Sequence, residues 1–281
     1  MSDKVEYTPA QPSVLVATIT ADRRLDEHSG AIPHKLNYPN MLYYLNVETN
    51  KDTSFPPLFR IYDKAHKHYG YRLKYDLWHV SSLWRPQPQY DQDQARLWKI
   101  CLAREMCRQA AIMLNVEWLL FLDSDVVPPE DAIQRLLKVA VFHDAVRHHV
   151  VGGIVPGRGA HSTARYITFP TGTKVEMIES SEPGRVELSQ VVPVQHATMG
   201  FVMIHRNVFN WVGFTFVRAN HWYVDPNGVK PEDLSEDPAF GIWLRYVLKQ
   251  HPNFGPAYEW VVTDVEAQHV GDLKAEETAH Y

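Results

Sequence analysis

The carboxylates of Asp123 and Asp125 are the side chains of this sequence best placed to do chemistry, because they directly follow the apolar run Trp118–Leu122. A short apolar run that ends at turn-forming residues predicts a buried strand. In open α/β sheets, ligands bind outside the carboxyl ends of such strands. Paired carboxylates there suit Mg²⁺ or Mn²⁺, which prefer oxygen ligands and keep coordination sites for phosphates. The alternative is a polar turn that caps the helix predicted near Pro129.

Three further segments carry residue types that suit a reactive site. Gly200 opens an apolar strand, where a glycine lets a ligand approach the backbone closely or simply forms a turn. Glu236 and Asp237 precede an amphipathic helix, so either Ser235 or Asp237 caps that helix or one of the two carboxylates is a general base. His269 follows a strand-like stretch and is either a metal ligand or an ordinary histidine of the surface or core.

Alternating strands and helices must position these residues, and this order predicts an α/β fold with a mostly parallel sheet flanked by helices in a single domain. Residues 1–12 are predicted to form a disordered tail, followed by the folded domain over residues 13–281. The predicted elements are a strand over Val14–Thr20, a helix turning into a strand over Asn40–Val47, an apolar segment over Tyr75–Leu83, a helix over Gln92–Leu114, a helix over Pro129–Val146, a strand over Val150–Val155, and hairpins or a long loop over residues 156–195.

Composition excludes several classes of protein. The 281 residues carry a net charge of −5 with scattered basic residues, which argues against nucleic acid as a partner. No apolar run approaches the ~20 residues needed to span a bilayer, and the polar first residues do not resemble a signal peptide. Cys101 and Cys107 fall within one helical pattern and cannot bridge there, which predicts reduced thiols in a cytoplasmic protein.

Taken in chain order, these segments resemble the nucleotide-sugar glycosyltransferases of the GT-A fold, most closely their family-2-like branch. The resemblance extends over about residues 14–272 and rests on order and context rather than on one motif. The segments that carry it are Val14–Thr20, Ala103–Glu105, Asp123–Asp125, Gly152–Pro156, Thr198–Arg206, Glu236–Asp237 and His269–Gly271.

The resemblance implies a metal-dependent enzyme that moves a sugar from a UDP- or GDP-sugar to a carbohydrate or other hydroxyl acceptor, with inversion. It implies that Asp125 and His269 ligate Mn²⁺ or Mg²⁺, and that Asp123 ligates the cation or contacts the ribose. Asp237, with Glu236 beside it, is implied as the base for the acceptor hydroxyl. The residues implied to contact the nucleotide sugar are Thr18, Thr20, Arg104, Asp123, Ser124 and Gly200. Residues 13–155 would form the nucleotide-sugar half and residues 156–281 the acceptor half.

Three alternatives remain open at this point. A retaining glycosyltransferase would use the same metal site without Asp237 as base, and a non-catalytic nucleotide-sugar binder would keep only the fold. A nucleotidyltransferase usually has a glycine-rich phosphate loop after its first strand, and the segment Thr20–Arg24 contains no glycine.

Four aromatic residues are candidates either for stacking on a sugar or for the core, namely Trp211, Phe214, Trp222 and Tyr223. The sequence leaves the oligomeric state open.

Overall fold

In the computed structural model of the protein, eight strands form one large sheet with helices on both faces. The structure describes residues 11–21, 35–48, 66–67, 72–78, 92–142, 149–155, 167–168, 174–175, 191–194, 197, 199–214, 236–250 and 259–269. The predicted tail over residues 1–12 therefore lies almost wholly outside the described residues. Within the described part of the chain, no helix is both long and apolar enough to cross a membrane.

The described residues include twelve strands and four helices. The strands are β1 (Val14–Ala21), β2 (Met41–Glu48), β3 (Leu73–Trp78), β4 (Trp118–Asp123), β5 (Val126–Val127), β6 (Val150–Ile154), β7 (Ile167–Thr168), β8 (Lys174–Val175), β9 (Val191–Val194), β10 (Phe201–His205), β11 (Glu259–Glu266) and β12 (Gln268–His269). The helices are α1 (Gln92–Met113), α2 (Ala132–Phe142), α3 (Arg206–Phe209) and α4 (Glu236–Gln250).

The main sheet has eight strands in the order β3-β2-β1-β4-β10-β6-β11-β9. Strands β3, β2, β1 and β4 run parallel to one another, and β6 runs parallel to β11. Strand β10 is antiparallel to both its neighbours, and β9 is antiparallel to β11 at the sheet margin. The predicted α/β fold with a mixed, mostly parallel sheet flanked by helices is confirmed.

Alternation along the strands creates two apolar layers, because successive side chains of a strand point to opposite faces. On one face, Val14 and Val16 of β1 belong to the same cluster as Leu136 of α2. On the other face, Leu15 of β1 belongs to the same cluster as Cys107 of α1 and residues of α4. Burial of each such side chain contributes on the order of 1.5–3 kcal/mol. The sheet is thus held between α2 on one face and α1 with α4 on the other.

Several predicted elements differ in extent from the observed ones. In the described residues 35–40 no helix leads into β2, since Asn40 lies in a turn and Met41–Glu48 is a strand throughout. Helix α2 begins only at Ala132, so the residues from Pro129 to Asp131 form a turn before the helix rather than its opening turn. The carbonyl of Pro129 accepts a hydrogen bond from the Ala132 N–H, which closes that turn at 3.1 Å.

The predicted hairpins between residues 156 and 195 are confirmed in part. Strands β7 and β8 pair in antiparallel fashion as a separate two-stranded sheet. Strand β9 instead joins the main sheet beside β11, where Val192 lies opposite Val261. The remaining positions of this stretch lie outside the described residues.

Candidate functional site

The carboxyl ends of β1, β2, β3 and β4 meet at one edge of the main sheet. Ala21 pairs with Glu48 at the ends of β1 and β2, and Ile19 pairs with Asp123 at the end of β4. Because β10 is antiparallel to β4, its first residues lie at this same edge, where Phe201 is opposite Leu122. Asp123 therefore ends its strand as the sequence predicts, at the edge where an open α/β sheet binds ligands.

The carboxylate of Asp123 is bound by a buried arginine of α1. Arg104 donates from Nη2 to Oδ1 of Asp123 at 2.9 Å, and its side chain is only 2% exposed against 36% for Asp123. The guanidinium carbon lies 5.1 Å from the centroid of the Phe121 ring, within the range of a cation–π contact. Arg104 thus contacts Asp123 and Phe121 inside the protein, and its implied contact with the nucleotide sugar stays a prediction.

Gly200 packs against the other side of the same carboxylate. Its carbonyl accepts a hydrogen bond from the Asp123 N–H at 2.9 Å. A Cβ atom at Gly200 would lie 2.9 Å from Oδ2 of Asp123, closer than real Cβ atoms approach a neighbour. The sequence left open whether this glycine admits a ligand or forms a turn; in the structure Gly200 lies in a turn where a side chain would meet Asp123, and its contact with the nucleotide sugar stays a prediction.

The motif continues through a turn into the small sheet formed by β5 and β12. Ser124 is buried and Asp125 half-buried in the turn between β4 and β5. In the antiparallel pair of β5 with β12, His269 lies opposite Val126. The backbone of His269 is therefore next to the residue that follows Asp125, although the two strands are far apart in sequence.

The side chain of His269 lies outside the described part of the structure. Among the side chains that are described, no group of three or more His, Cys, Asp and Glu residues is arranged to hold a metal ion. The predicted ligands Asp125 and His269 are thus brought together at the level of the backbone, and their role as metal ligands stays a prediction.

The two threonines of β1 occupy different environments. Thr18 is completely buried, and its Oγ1 lies 3.0 Å from the hydroxyl of Tyr43 in the core. Thr20 is nearer the edge, and its Oγ1 is buried without a hydrogen-bond partner among the described residues. By strand alternation both share the face of Val16, which packs towards α2. Asp123 instead shares the α1 face with Phe121, so the sheet separates the threonines from that carboxylate.

Glu236 and Asp237 are the first two residues of α4, rather than residues that precede it. Their side chains lie outside the described part. Pro238 is the third residue of the helix, a position that proline tolerates because the first N–H groups of a helix have no partner within it. The predicted N-cap residue Ser235 also lies outside the described residues.

A row of aromatic rings shows that α4 begins on the same face of the sheet as Asp123. The ring of Phe121 meets that of Phe214 edge-on at 5.2 Å between centroids, and Phe214 stacks on Phe240 of α4 at 5.0 Å. Phe240 belongs to the first turns of α4, three positions after Asp237. The backbone of Asp237 therefore lies on the α1 face of the sheet, together with Arg104 and Asp123.

The two described aromatic candidates for stacking on a sugar lie in different places. Phe214 is buried in the ring row and belongs to the core. Trp211 is 61% exposed but follows α3, which begins where β10 ends at the opposite edge of the sheet. Trp222 and Tyr223 lie outside the described residues.

The sequence reasoning missed one ion pair at the candidate edge. Lys99 of α1 donates from Nζ to Oε1 of Glu48, the last residue of β2, at 2.5 Å. Helix α1 thus contributes a cation to a carboxylate at the end of β2 and another at the end of β4. An acidic residue directly after the predicted strand over Asn40–Val47 was the available signal, since polar residues at strand ends line this edge.

Hydrogen bonds of Glu105 and Arg108 attach α1 to the end of α3 and to the segment after it. Burial alone would raise the pKa of this carboxyl, but hydrogen bonds from Arg108, Gln109 and the Phe214 N–H, with the charge of Arg108, lower it overall. Arg108 in addition donates to the carbonyl of Phe209 at 2.6 Å. These contacts hold Phe209 and Phe214 against α1. Phe214 belongs to the row of aromatic rings on the face of the sheet that carries Asp123.

No protein-family model matches the sequence, and no curated protein matches it. Solved structures with a similar arrangement include A197 from STIV, with 14% identity, a TM-score of 0.41 and coverage of 92% of this chain and 85% of that one. S. aureus TarS 1-349 has 13% identity, a TM-score of 0.47 and coverage of 92% and 60%.

The mannosyltransferase PcManGT from Pyrobaculum calidifontis, solved with GDP-Man and Mn²⁺, has 13% identity and a TM-score of 0.45. The coverage is 92% of this chain and 57% of that one, so the chain spans less than two thirds of this protein and of TarS 1-349. Identities and TM-scores of this size carry no argument about function, which depends on the site of this chain itself.

Proposed function

We propose that the protein is a glycosyltransferase that moves a sugar from a UDP- or GDP-sugar to an acceptor hydroxyl, in a metal-dependent reaction with inversion. The observation that carries the proposal is the pairing of β5 with β12, which brings the backbone of His269 beside Val126, the neighbour of Asp125. The proposal is supported by the position of this pairing next to the carboxyl edge of β4, where an α/β sheet binds its ligands.

The donor atoms available at this edge fit a divalent cation such as Mn²⁺ or Mg²⁺. Carboxylate oxygens suit both ions, and an imidazole nitrogen is compatible with a first-row metal. Asp125 and His269 would hold the cation, and Asp123 would contact the ribose or bind the metal through water. When bound, the cation supplies charge stabilisation for the diphosphate that leaves.

Other residues of the chain would bind the nucleotide and the acceptor. Thr20 offers a buried hydroxyl without a partner among the described residues, and Ser124 lies within the motif itself. Asp237, in the first turn of α4 on the face of Asp123, would take the proton from the acceptor hydroxyl. Glu236 would contact the acceptor beside it. The proton would move to the carboxylate as the acceptor oxygen displaces the diphosphate in line, which inverts the anomeric centre.

The proposal extends to the organisation and location of the chain. Strands from residues 13–155 and from residues 156–281 share one sheet, with the first part supplying Asp123 and Asp125 and the second supplying Asp237 and His269. We infer a cytoplasmic location because the only two cysteines, Cys101 and Cys107, are both buried on α1 as thiols.

The test is thermal unfolding in the presence of UDP-, GDP- and CMP-sugars, each with and without Mn²⁺. A ligand that binds the folded state alone stabilises it by ~2.7 kcal/mol at one hundred times its dissociation constant. We expect a UDP- or GDP-sugar to raise the melting temperature only when Mn²⁺ is present. Absence of any response to all of these nucleotides would contradict the proposal.

A matched pair of variants then tests the metal ligand. Asp125→Asn should abolish Mn²⁺-dependent stabilisation and sugar transfer, because it removes a charged oxygen donor. Glu130→Gln is the control, since Glu130 is an exposed carboxylate of the turn that follows β5. Full metal-dependent transfer by the Asp125 variant would show that the cation is bound elsewhere. Analysis of the anomeric configuration of the product would separate inversion from retention.

A further inference from the structure

We propose that Arg104 is a positioning residue, which together with the Gly200 backbone holds the Asp123 carboxylate in one orientation and acts on the nucleotide only through Asp123. The part of this proposal that concerns the nucleotide rests on the proposed function. The part that concerns Asp123 rests on the geometry alone.

Both oxygens of Asp123 have a defined neighbour. Oδ1 accepts the hydrogen bond from Arg104 at 2.9 Å. Oδ2 faces Gly200 so closely that a Cβ atom there would come within 2.9 Å of it. The Asp123 N–H is also bonded to the Gly200 carbonyl, so the backbone on which the carboxylate stands is fixed as well. A carboxylate that is hydrogen-bonded by Arg104, on a backbone bonded to Gly200, presents one orientation to a ligand at the sheet edge, and catalytic sites depend on such preorganisation.

Burial explains why Arg104 does not contact the diphosphate directly. Its side chain is only 2% exposed and lies over the ring of Phe121, below the Asp123 carboxylate. A diphosphate at the sheet edge would meet the more exposed carboxylate before the guanidinium. The positive charge of Arg104 instead partly offsets the negative charge that Asp123 brings to a site meant for an anionic ligand.

The pair is unequal in burial, which gives the proposal a test that does not depend on any ligand. Asp123→Asn removes the carboxylate from a buried guanidinium, whose charge is then costly to keep away from water. Arg104→Met leaves a carboxylate that is still about a third exposed and can be solvated. We therefore expect the urea midpoint of unfolding to fall more for Asp123→Asn than for Arg104→Met, and the double variant to lie close to Arg104→Met. Additive losses in the double variant would refute the coupling of the two side chains.

The ligand measurement separates positioning from direct contact. Calorimetry in the presence of Mn²⁺ compares the binding affinity of a nucleoside monophosphate with that of the corresponding diphosphate. The pairs are UMP with UDP and GMP with GDP. If Arg104 acts through Asp123, Arg104→Met should weaken both nucleotides of a pair by a similar factor, of about tenfold. Selective weakening of the diphosphate by Arg104→Met that Asp123→Asn does not share would show direct contact and overturn the proposal. Arg104→Lys should recover part of the affinity, since an ammonium also attracts a carboxylate.

Gly200→Ala tests the other side of the same carboxylate. The added methyl group must displace Oδ2 of Asp123, so nucleotide affinity should fall in the same way as for Arg104→Met. Gly213→Ala is the matched control, because its Cβ would lie 3.1 Å from a different carboxylate oxygen, Oε2 of Glu105. Equal losses of affinity in the two glycine variants would contradict a specific role of Gly200.

The outcomes distinguish this proposal from the proposed function. If the wild-type protein binds none of the four nucleotides, the proposed function fails while the unfolding measurements still decide the Arg104–Asp123 coupling. If the nucleotides bind but the two side chains contribute independently to stability, the proposed function stands and the positioning role of Arg104 is wrong.

Discussion

Acidification should destabilise this protein through one partly buried histidine, His205. This residue ends β10, and its side chain is 16% exposed. Its ring stacks on that of His149 at 5.3 Å between centroids and meets Trp118 edge-on at 4.7 Å. Its Nδ1 accepts a hydrogen bond from the Asn207 N–H at 3.2 Å and so caps α3. A protonated ring would lose that acceptor and would carry a charge into a poorly solvated place.

The pKa of His205 follows from these surroundings. Burial, then the nearby His149 and then Arg206 lower the pKa from its ordinary 6.5 to about 4. The carboxylate of Glu117, with Oε1 at 3.8 Å from Nε2, is the charged neighbour that would favour protonation. Burial and the two basic neighbours outweigh it, so His205 is neutral in the folded protein at physiological pH.

The effect on stability has a definite sign. The unfolded chain binds a proton below about pH 6.5, whereas the folded protein binds it only near about pH 4. The stabilisation is therefore complete above the higher value and is lost as the pH falls through this window. Between about pH 8 and about pH 5 the loss from this one group amounts to ~2 kcal/mol.

The assay is urea unfolding at these two pH values for the wild-type protein and for His205→Asn. Asparagine does not titrate, and its side-chain oxygen can accept the hydrogen bond that caps α3. We expect the loss of unfolding free energy on acidification to be smaller in the variant by ~2 kcal/mol. His66→Asn, the same substitution at an exposed histidine, serves as the control. Equal losses in wild type and His205→Asn would refute the reasoning.

Three other predictions concern single residues. Glu105→Gln should lower the free energy of unfolding by ~1–3 kcal/mol near neutral pH, because it weakens charge-assisted hydrogen bonds such as those from Arg108. The pKa of Glu105 in the folded protein lies below its ordinary value of 4.5, so the difference from wild type in urea unfolding should shrink as the pH falls from that value through the lower folded-state pKa. Gly153→Ala should lower the melting temperature, since its Cβ would lie 2.6 Å from the Val265 carbonyl, and overpacking costs ~1–3 kcal/mol. An unchanged melting temperature would show that β6 and β11 can move apart at little cost in free energy. Asp237→Asn should abolish sugar transfer yet keep nucleotide affinity by calorimetry, and a loss of that affinity would assign Asp237 to binding instead.

The elements around the candidate site could be predicted where the pattern that specifies them lies within neighbouring residues of the chain. The buried strands β1 and β4 and the long helix α1 agree closely with the sequence, because apolar runs and helical periodicity depend on neighbouring residues. The start of α2 was predicted too early, because the turn that ends at Asp131 satisfies the same preferences for proline and acidic residues as a first helical turn.

The pairing of distant strands was not predictable in the same way. Both β5 and β12 contain only two residues, too few for a periodic pattern, and their partnership depends on the path of β11 across the sheet. The insertion of β10 antiparallel between β4 and β6 is likewise a long-range choice. Sequence alone placed His269 near the chain end, and the fold brought its backbone beside the Asp125 turn.

The sequence by itself determined which residues end the strands, because the boundary between apolar run and polar turn is local, and it therefore identified Asp123 and Asp125. Only the tertiary structure decided which way the surrounding side chains face. Thr18 and Thr20 belong to the α2 face, whereas Asp123 lies on the α1 face with Arg104. That division depends on which helices cover each face of the sheet, and this is set by contacts between residues far apart in the chain.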